Sequence, residues 1–429
     1  KSLILVIGFF ILISYLDVKG YFNPNETNNH TKKKWDSYYE FTEKNNVDIL
    51  LVGNSHLYSG INPKNLSAAL GCNAFILASP GTNIADSYYA LKEALKRTEA
   101  KLVVIETYGI NEFDPYKLEK QFLSDQFKSF YARKDVFTKM ASLPFLFSSD
   151  NYLYAWSNTL RNHDFIFNDT KQLSLNKELI SSKKRKRKQK NKLYLGRFVR
   201  FQSGIEKELM NKYNSLGAPV DGNEYAYNFY TKNYVNKIIN LCKKEGVELS
   251  FLTLPMYERH ISNYANWEGK IAEIIAKDSL NWIDMQKSPG YEGFDRFAFE
   301  NTYKSNQHMT YSGSLIATYK LADYIRDTLQ IKLPNRSENR AWQDLFYGQE
   351  GYFENYNPKI NDKNNTVISS NKSLKNVTLK QVLIVDKNNK KKIKIIAKVD
   401  SKTLGDLNYQ AVKHRLVLKS DNAGKQQLV

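Results

Sequence analysis

Cysteine is nearly missing from this chain: Cys72 and Cys242 are the only two in 429 residues. A disulfide framework is thereby excluded, and no Cys/His spacing suited to structural zinc occurs. Histidine is also scarce, with six residues in all, so any chemistry that needs an imidazole has few donors. There is no G-x-G-x-x-G turn and no P-loop lysine, which counts against a nucleotide-phosphate binder. No internal repeat is evident. Apolar residues, by contrast, make up 42% of the chain, enough for a real core and too many for wholesale disorder. A chain of 429 residues is long enough for two or three domains.

Charge is absent from one whole segment, "SLILVIGFFILISYL" (Ser2 to Leu16), which follows Lys1. As a helix it would cover about 22 Å, short of the roughly 30 Å hydrocarbon core. The chain does not open on methionine, and residues upstream are expected. No small-residue cleavage site follows, which favours an uncleaved membrane anchor over a removable signal. A buried core helix is the alternative. Lys32, Lys33 and Lys34 argue against an outside location for the body, with the upstream flank unseen.

Positive charge, at a formal net +19, is in excess. Much of it lies in "KKRKRKQKNK", Lys183 to Lys192, with eight basic residues in ten. Three readings stay open: a solvated loop, a contact for anionic lipid or acidic glycan, or a nucleic-acid contact. An amino-terminal anchor disfavours the last.

Along the chain, Asp17 to Lys34 is rich in Asn, Lys and Thr and reads as a tether, extended to residue 46. Strand and helix then alternate. "DILLVG" precedes a helix in "NPKNLSAAL", with Asn62 as cap and Pro63 in the first turn. "NAFILA", the amphipathic "IADSYYALKEALKR" and "KLVVIET" follow. Strand, helix, strand, helix, strand implies parallel pairing with right-handed crossovers. Residues 113–225 interrupt the pattern, and their aromatic richness suggests a mostly helical insertion, a lid or a membrane-facing cap. The alternation resumes with "YTKNYVNKIINLCKKEG", "VELSFLTLP", "WEGKIAEIIAKD", "NWID" and a closing helix from Ser312. From about Asn335 short alternating strands predict a small β-sandwich-like domain, expected to be incomplete.

One stretch raises a chemical question: in "VDILLVGNSHLYSGINP" an aliphatic run stops at Gly-Asn-Ser-His. A serine at such a turn lies at the carboxyl end of a parallel sheet, where open α/β sheets place their ligands. Ser55 is then a nucleophile or merely a turn residue. A nucleophile needs a base, a group that orients the base, and oxyanion donors. His30 falls in the tether, His163 in the insertion and His414 in the β-domain; His56 adjoins Ser55 too closely. His308, in the loop before the last helix, is the first choice of base, with His260 behind it. Donors are expected after the next two strands: Gly81 in "SPGTN" and Asn111 in "YGINEFD". The structural alternatives are a plain turn for Gly81 and a helix cap for Asn111.

GNSH after strand one, a Gly after strand two, G-x-N-[DE] after strand three and a His before the last helix resemble the SGNH (GDSL-like) hydrolase superfamily. The resemblance covers residues 47–112 and 226–328. It implies a flavodoxin-like three-layer α/β domain with a parallel sheet over residues 47–334; the helical insertion, the anchor over 1–20 and the small β-domain over 335–429 are read from the residues and are not explained by it. By the same resemblance Ser55 is the nucleophile and, through its N–H, one oxyanion donor. Gly81 and Asn111 are the other two donors, and His308 is the base. No cofactor or metal is implied. The family's aspartate three residues before the histidine is Ser305 here, leaving a Ser–His dyad or a carboxylate from elsewhere, Asp284 or Asp295.

The anchor and domain plan resembles bacterial cell-envelope proteins related to glycan O-acetyltransferases. It implies an extracytoplasmic domain on the inner membrane, a polysaccharide or glycan substrate, and a multi-spanning membrane-bound O-acyltransferase as partner, with no nucleic acid. Three functions are weighed. The first is a serine esterase or O-acyltransferase, with transfer preferred to hydrolysis because of the anchor. The second is a catalytically weakened glycan-binding scaffold, and the third a flavodoxin-like phosphate binder with GNSH as its anion turn.

Overall fold

A computed structural model describes residues 2–19, 30–110, 115–162, 194–197, 205, 220–221, 229–257, 261–276, 280–300, 308–339, 341–342, 364–368, 377–385, 391–398, 418–420 and 425–428. The body holds β1 (Ile49–Gly53), β2 (Ala74–Ala78), β3 (Leu102–Glu106), β5 (Glu248–Thr253) and β7 (Asn281–Asp284), with two-residue strands β4 (Val220–Asp221) and β6 (Ile261–Ser262) paired apart. Its helices are α1 (Ser2–Lys19), α2 (His30–Thr42), α3 (Ser55–Gly60), α4 (Pro63–Leu70), α5 (Ile84–Ala94), α6 (Pro115–Ala132), α7 (Val136–Leu146), α8 (Tyr152–Trp156), α9 (Asn158–Arg161), α10 (Phe229–Glu245), α11 (Tyr264–Ala276) and α12 (Tyr311–Asp323).

The main sheet runs β2-β1-β3-β5-β7, and every pairing in it is parallel. Counting these strands alone gives the order 2-1-3-4-5, that of flavodoxin-like sheets. The expected parallel α/β body is thus present. Ile49 to Val52 are buried on both faces, so β1 reads as a continuous apolar run and not an alternating one. Alternate residues enter two cores. Leu50, Val52, Phe75, Val103 and Ile105 pack with α2, α5, α10 and α11 on one face. Ile49, Leu51, Ile76 and Val104 pack with α3, α4 and α12 on the other. Helices on both faces of one sheet make three layers.

Most helix ends follow local signals. Asn62 caps α4 with Pro63 in its first turn, and Asn83 caps α5 through its side chain. Gly246 ends α10 at φ 64°. The edge of β2 is also covered, since the Ile76 N–H donates to the Leu195 carbonyl (2.9 Å). That contact blunts a strand edge that would otherwise be open.

Three expectations need correcting. Part of the tether is no tether: His30–Thr42 is helix α2, with Trp35 and Tyr38 fully buried. Its Asn, Lys and Thr content hid an aromatic face at helical spacing, Trp35, Tyr38 and Tyr39. The α/β body also continues past residue 334. Arg336 pairs with buried Asp48 through two contacts (2.8 and 2.7 Å), and Trp342 Nε1 donates to Asn73 Oδ1 (2.7 Å). Third, the turn after β1 is itself helical, as α3. The insertion is helical as expected over α6 to α9, while the basic run 183–192 lies outside the described residues.

Further along, β8 (Asn364–Ile368), β9 (Val377–Val385), β10 (Lys391–Lys398), β11 (Leu418–Ser420) and β12 (Lys425–Leu428) form one antiparallel sheet in the order β11-β12-β10-β9-β8. The two facing sheets that a sandwich requires are not seen among the described residues. Nor, among them, is any helix long and apolar enough to cross a membrane.

Candidate active site

Ser55 is the first residue of α3, directly beyond the carboxyl end of β1. Asn54 caps that helix, its side-chain oxygen accepting from the His56 N–H (2.9 Å). In the first turn of a helix the Ser55 N–H has no intrahelical partner, which suits an oxyanion donor. His56 points away from the serine. Its Nδ1 lies 2.9 Å from Glu106 Oε1, both side chains are buried, and the same oxygen accepts from the Tyr108 N–H (2.8 Å). This pair ties the first turn of α3 to the end of β3.

His308 Nε2 lies 2.9 Å from Ser55 Oγ, across 253 residues of sequence. The imidazole is held by a short antiparallel pairing. Phe299 bridges Met309, the Glu300 N–H donates to the His308 carbonyl (3.0 Å), and the Thr310 N–H donates to the Ala298 carbonyl (2.9 Å). Phe299 and Met309 are buried in the core beneath α12. Thr310 then caps α12, accepting from the Gly313 N–H (3.2 Å). Gly313 is needed for close approach, because a methyl group there would sit 2.2 Å from the Ala298 carbonyl oxygen.

The same pairing brings up a carboxylate that sequence reasoning missed. Glu300 Oε2 lies 3.6 Å from His308 Nδ1, on the far side of the ring from Ser55, and its side chain is fully buried. That distance is longer than a hydrogen bond, and the contact becomes an ion pair once the imidazole is protonated. Neither suggested aspartate serves. Asp284 accepts from the Tyr264 hydroxyl and the Gln286 N–H (both 2.8 Å), and Asp295 is exposed. Ser305 lies outside the described residues, as do His163, His260 and His414. His30 opens α2 and pairs through Nδ1 with the Tyr194 hydroxyl; burial holds its pKa well below the usual imidazole range. The signal for Glu300 was the alternating "FAFE" before a turn, but a spacing rule anchored on His308 could not select it.

Of the expected donors, Gly81 stands in the turn after β2 at φ 61°, a left-handed conformation that suits glycine. Asn111 lies one residue beyond the described stretch that ends at Ile110. The loops that carry these residues do converge. A methyl group placed on Gly109 would sit 3.3 Å from the Thr82 carbonyl oxygen and 3.5 Å from Asn54 Nδ2. Turns after β1, β2 and β3 therefore meet at one sheet edge.

Beneath the β2 turn lies Lys34 of α2, buried, donating to the Ala78 carbonyl (3.0 Å) and to Ser79 Oγ. Burial pulls its ammonium pKa down to about 7. In comparison with known proteins, no family model matches the chain and no curated protein matches it.

Proposed function

We propose that this protein is a serine-dependent acyl-transfer enzyme of the SGNH type, acting on an acyl ester of a cell-envelope polysaccharide. The observation that carries the reading is the alignment of Ser55, His308 and buried Glu300 at the carboxyl edge of the sheet. A hydroxyl, an imidazole and a carboxylate in that order form a nucleophile–base–orienter set, and glutamate fills the third place in some hydrolases.

In the proposed reaction Ser55 Oγ attacks the acyl carbonyl as its proton passes to His308 Nε2. Negative charge gathers on the carbonyl oxygen, for which the Ser55 and Gly81 N–H groups and Asn111 are the donors that the resemblance implies. The tetrahedral adduct collapses to acyl-Ser55, and the leaving alcohol takes the proton from His308. A sugar hydroxyl or water then gives its proton to His308 and attacks the acyl carbon; as the second adduct breaks the bond to Ser55 Oγ, His308 returns that proton to Oγ and the acylated sugar or free acid leaves. Transfer and hydrolysis share this intermediate, and O-acetylation beside an acyl-exporting O-acyltransferase in the inner membrane is the version we favour. The weakened-scaffold alternative draws on Ser305, with the aromatic-rich insertion and the β-domain as its glycan surfaces; the closeness of buried Glu300 to His308 favours the enzyme reading.

The test is intact-mass labelling of the full chain with a fluorophosphonate. One adduct is expected on the parent, none on Ser55→Ala, and labelling by His308→Ala is expected to slow at least about 100-fold. A folded parent that stays unlabelled, beside a serine esterase that labels fully, would refute the enzyme reading.

A further inference from the structure

Helix α7 carries apolar residues on its outer face as well as its inner one. Its buried positions are Thr138, Ser142 and Leu146, with Leu143 packed against the core, while Val136, Phe137, Met140, Ala141, Pro144 and Phe145 are exposed. Phe137 is 82% exposed and Met140 59%. These six residues form a continuous stripe at helical spacing with no charge in it. Helix α8 extends the surface with exposed Leu153, Tyr154 and Trp156.

A second apolar surface joins this one. In α1, Ile4, Leu5, Ile7, Phe9, Phe10, Ile11 and Leu12 are all exposed. At 100° per residue they point to every side, so the helix has no polar face to leave in water. Its last turn is fastened to the helical segment, where Asp17 Oδ1 accepts from both the N–H and the hydroxyl of Thr159 in α9 (2.7 Å each). The base of α1 therefore stands next to the α8–α9 junction.

We propose that the exposed face of α7 and α8 is an interfacial membrane surface, seated at the headgroup–acyl boundary beside the base of α1. The occupant follows from α1: a protein groove covers one side of a helix, whereas lipid covers all sides. The Asp17–Thr159 contact makes the α7–α8 face continuous with that helix. The composition of the rim agrees. Tyr154 and Trp156 have the apolar body and polar tip that suit the interface. Half-buried Lys139 holds its Nζ 5.2 Å from the Trp156 ring centre and 4.9 Å from that of buried Phe130, and Arg161 donates to the Tyr154 carbonyl (2.9 Å), so the polar tips that this face presents are those of Tyr154 and Trp156. No membrane-crossing span is required, and the inference is independent of the chemistry at Ser55.

The experiment uses the full chain in vesicles of phosphatidylcholine and phosphatidylglycerol in equal parts, with and without brominated acyl chains. Single cysteines for a bimane label are introduced as Phe137→Cys, as Leu12→Cys in α1 and as Thr328→Cys, an exposed position past α12 on the other face of the sheet. Cys72 and Cys242 are buried and should stay unlabelled. Brominated lipid is expected to quench labels 12 and 137 at least about twofold more than label 328, as for an apolar face sunk several ångströms into the interface. Met140→Asp combined with Phe145→Asp should abolish quenching at 137 while thermal unfolding in detergent is unchanged. If label 137 is quenched by aqueous iodide as fully as label 328 while label 12 responds to lipid, α1 inserts and the proposed face does not. Shielding of label 137 from both quenchers would mean that protein covers it. Either result overturns the proposal, as does loss of lipid quenching at both 12 and 137.

Discussion

At the scale of single residues, Glu300 changes what the site is expected to do. A lone Ser–His dyad has nothing to hold the imidazole tautomer that leaves Nε2 free to accept the serine proton. A buried carboxylate 3.6 Å from Nδ1 favours that tautomer and would stabilise the imidazolium of the proposed reaction. Glu300→Gln should keep the packing and lower the rate of Ser55 labelling about 10²- to 10⁴-fold, the range seen when a triad carboxylate becomes an amide. Ser305→Ala should leave the rate unchanged. Fluorophosphonate kinetics on both variants separate the two origins of the orienting group, and equal losses would argue against Glu300. Ser55 and His308 were legible because each belongs to a loop whose place on a doubly wound sheet follows from the strand order. Glu300 was not, because its position depends on an antiparallel pairing across a loop.

At the scale of elements, α2 shows how composition can mislead. Its lysines suggest solvent, yet Lys34 is buried beneath the β2 turn with its ammonium pKa lowered to about 7. A lysine whose folded pKa lies below its unfolded value binds fewer protons in the native state between the two. Stability should therefore rise as pH increases from about 7 toward 10.5, the ordinary lysine value. Urea midpoints across that window should climb for the parent and climb less for Lys34→Met; parallel curves would assign the rise to other groups. The same helix supports the Ser79–Gly81 turn through the Ala78 carbonyl and Ser79 Oγ. Burial of α2 thus connects directly to the shape of the turn that carries Gly81.

At the scale of the whole molecule, the body closes on itself through a contact remote in sequence. Asp48 is fully buried at the start of β1 and also accepts from the Asn73 N–H (2.8 Å) and Asn46 Nδ2 (3.1 Å). Arg336 supplies its countercharge from 288 residues away. Arg336→Ala should cost on the order of 2–3 kcal/mol, because a buried carboxylate loses its charged partner while that partner's own side stays partly hydrated. A chain ended at residue 334 should be destabilised further, since it also loses Trp342 from Asn73. Denaturant titration of both is the check, and midpoints equal to that of the parent would restore the boundary at 334. The apolar face of α7 and α8 belongs to the same scale, since only its adjacency to α1 identifies lipid as its occupant.

What the amino-acid sequence determined by itself was local or periodic. Buried parallel strands are continuous apolar runs, helices carry caps at fixed offsets, and catalytic loops follow strand ends. These signals lie within a few residues of the feature they specify, so the sheet, Ser55, Gly81 and the loop of His308 could be read directly. The tertiary structure alone decided which carboxylate faces the imidazole, which lysine is buried and which arginine completes Asp48. Each is a pairing of groups far apart in the chain. Such pairings are selected by the cost of leaving a buried charge without a partner, and that cost has no signature in sequence spacing.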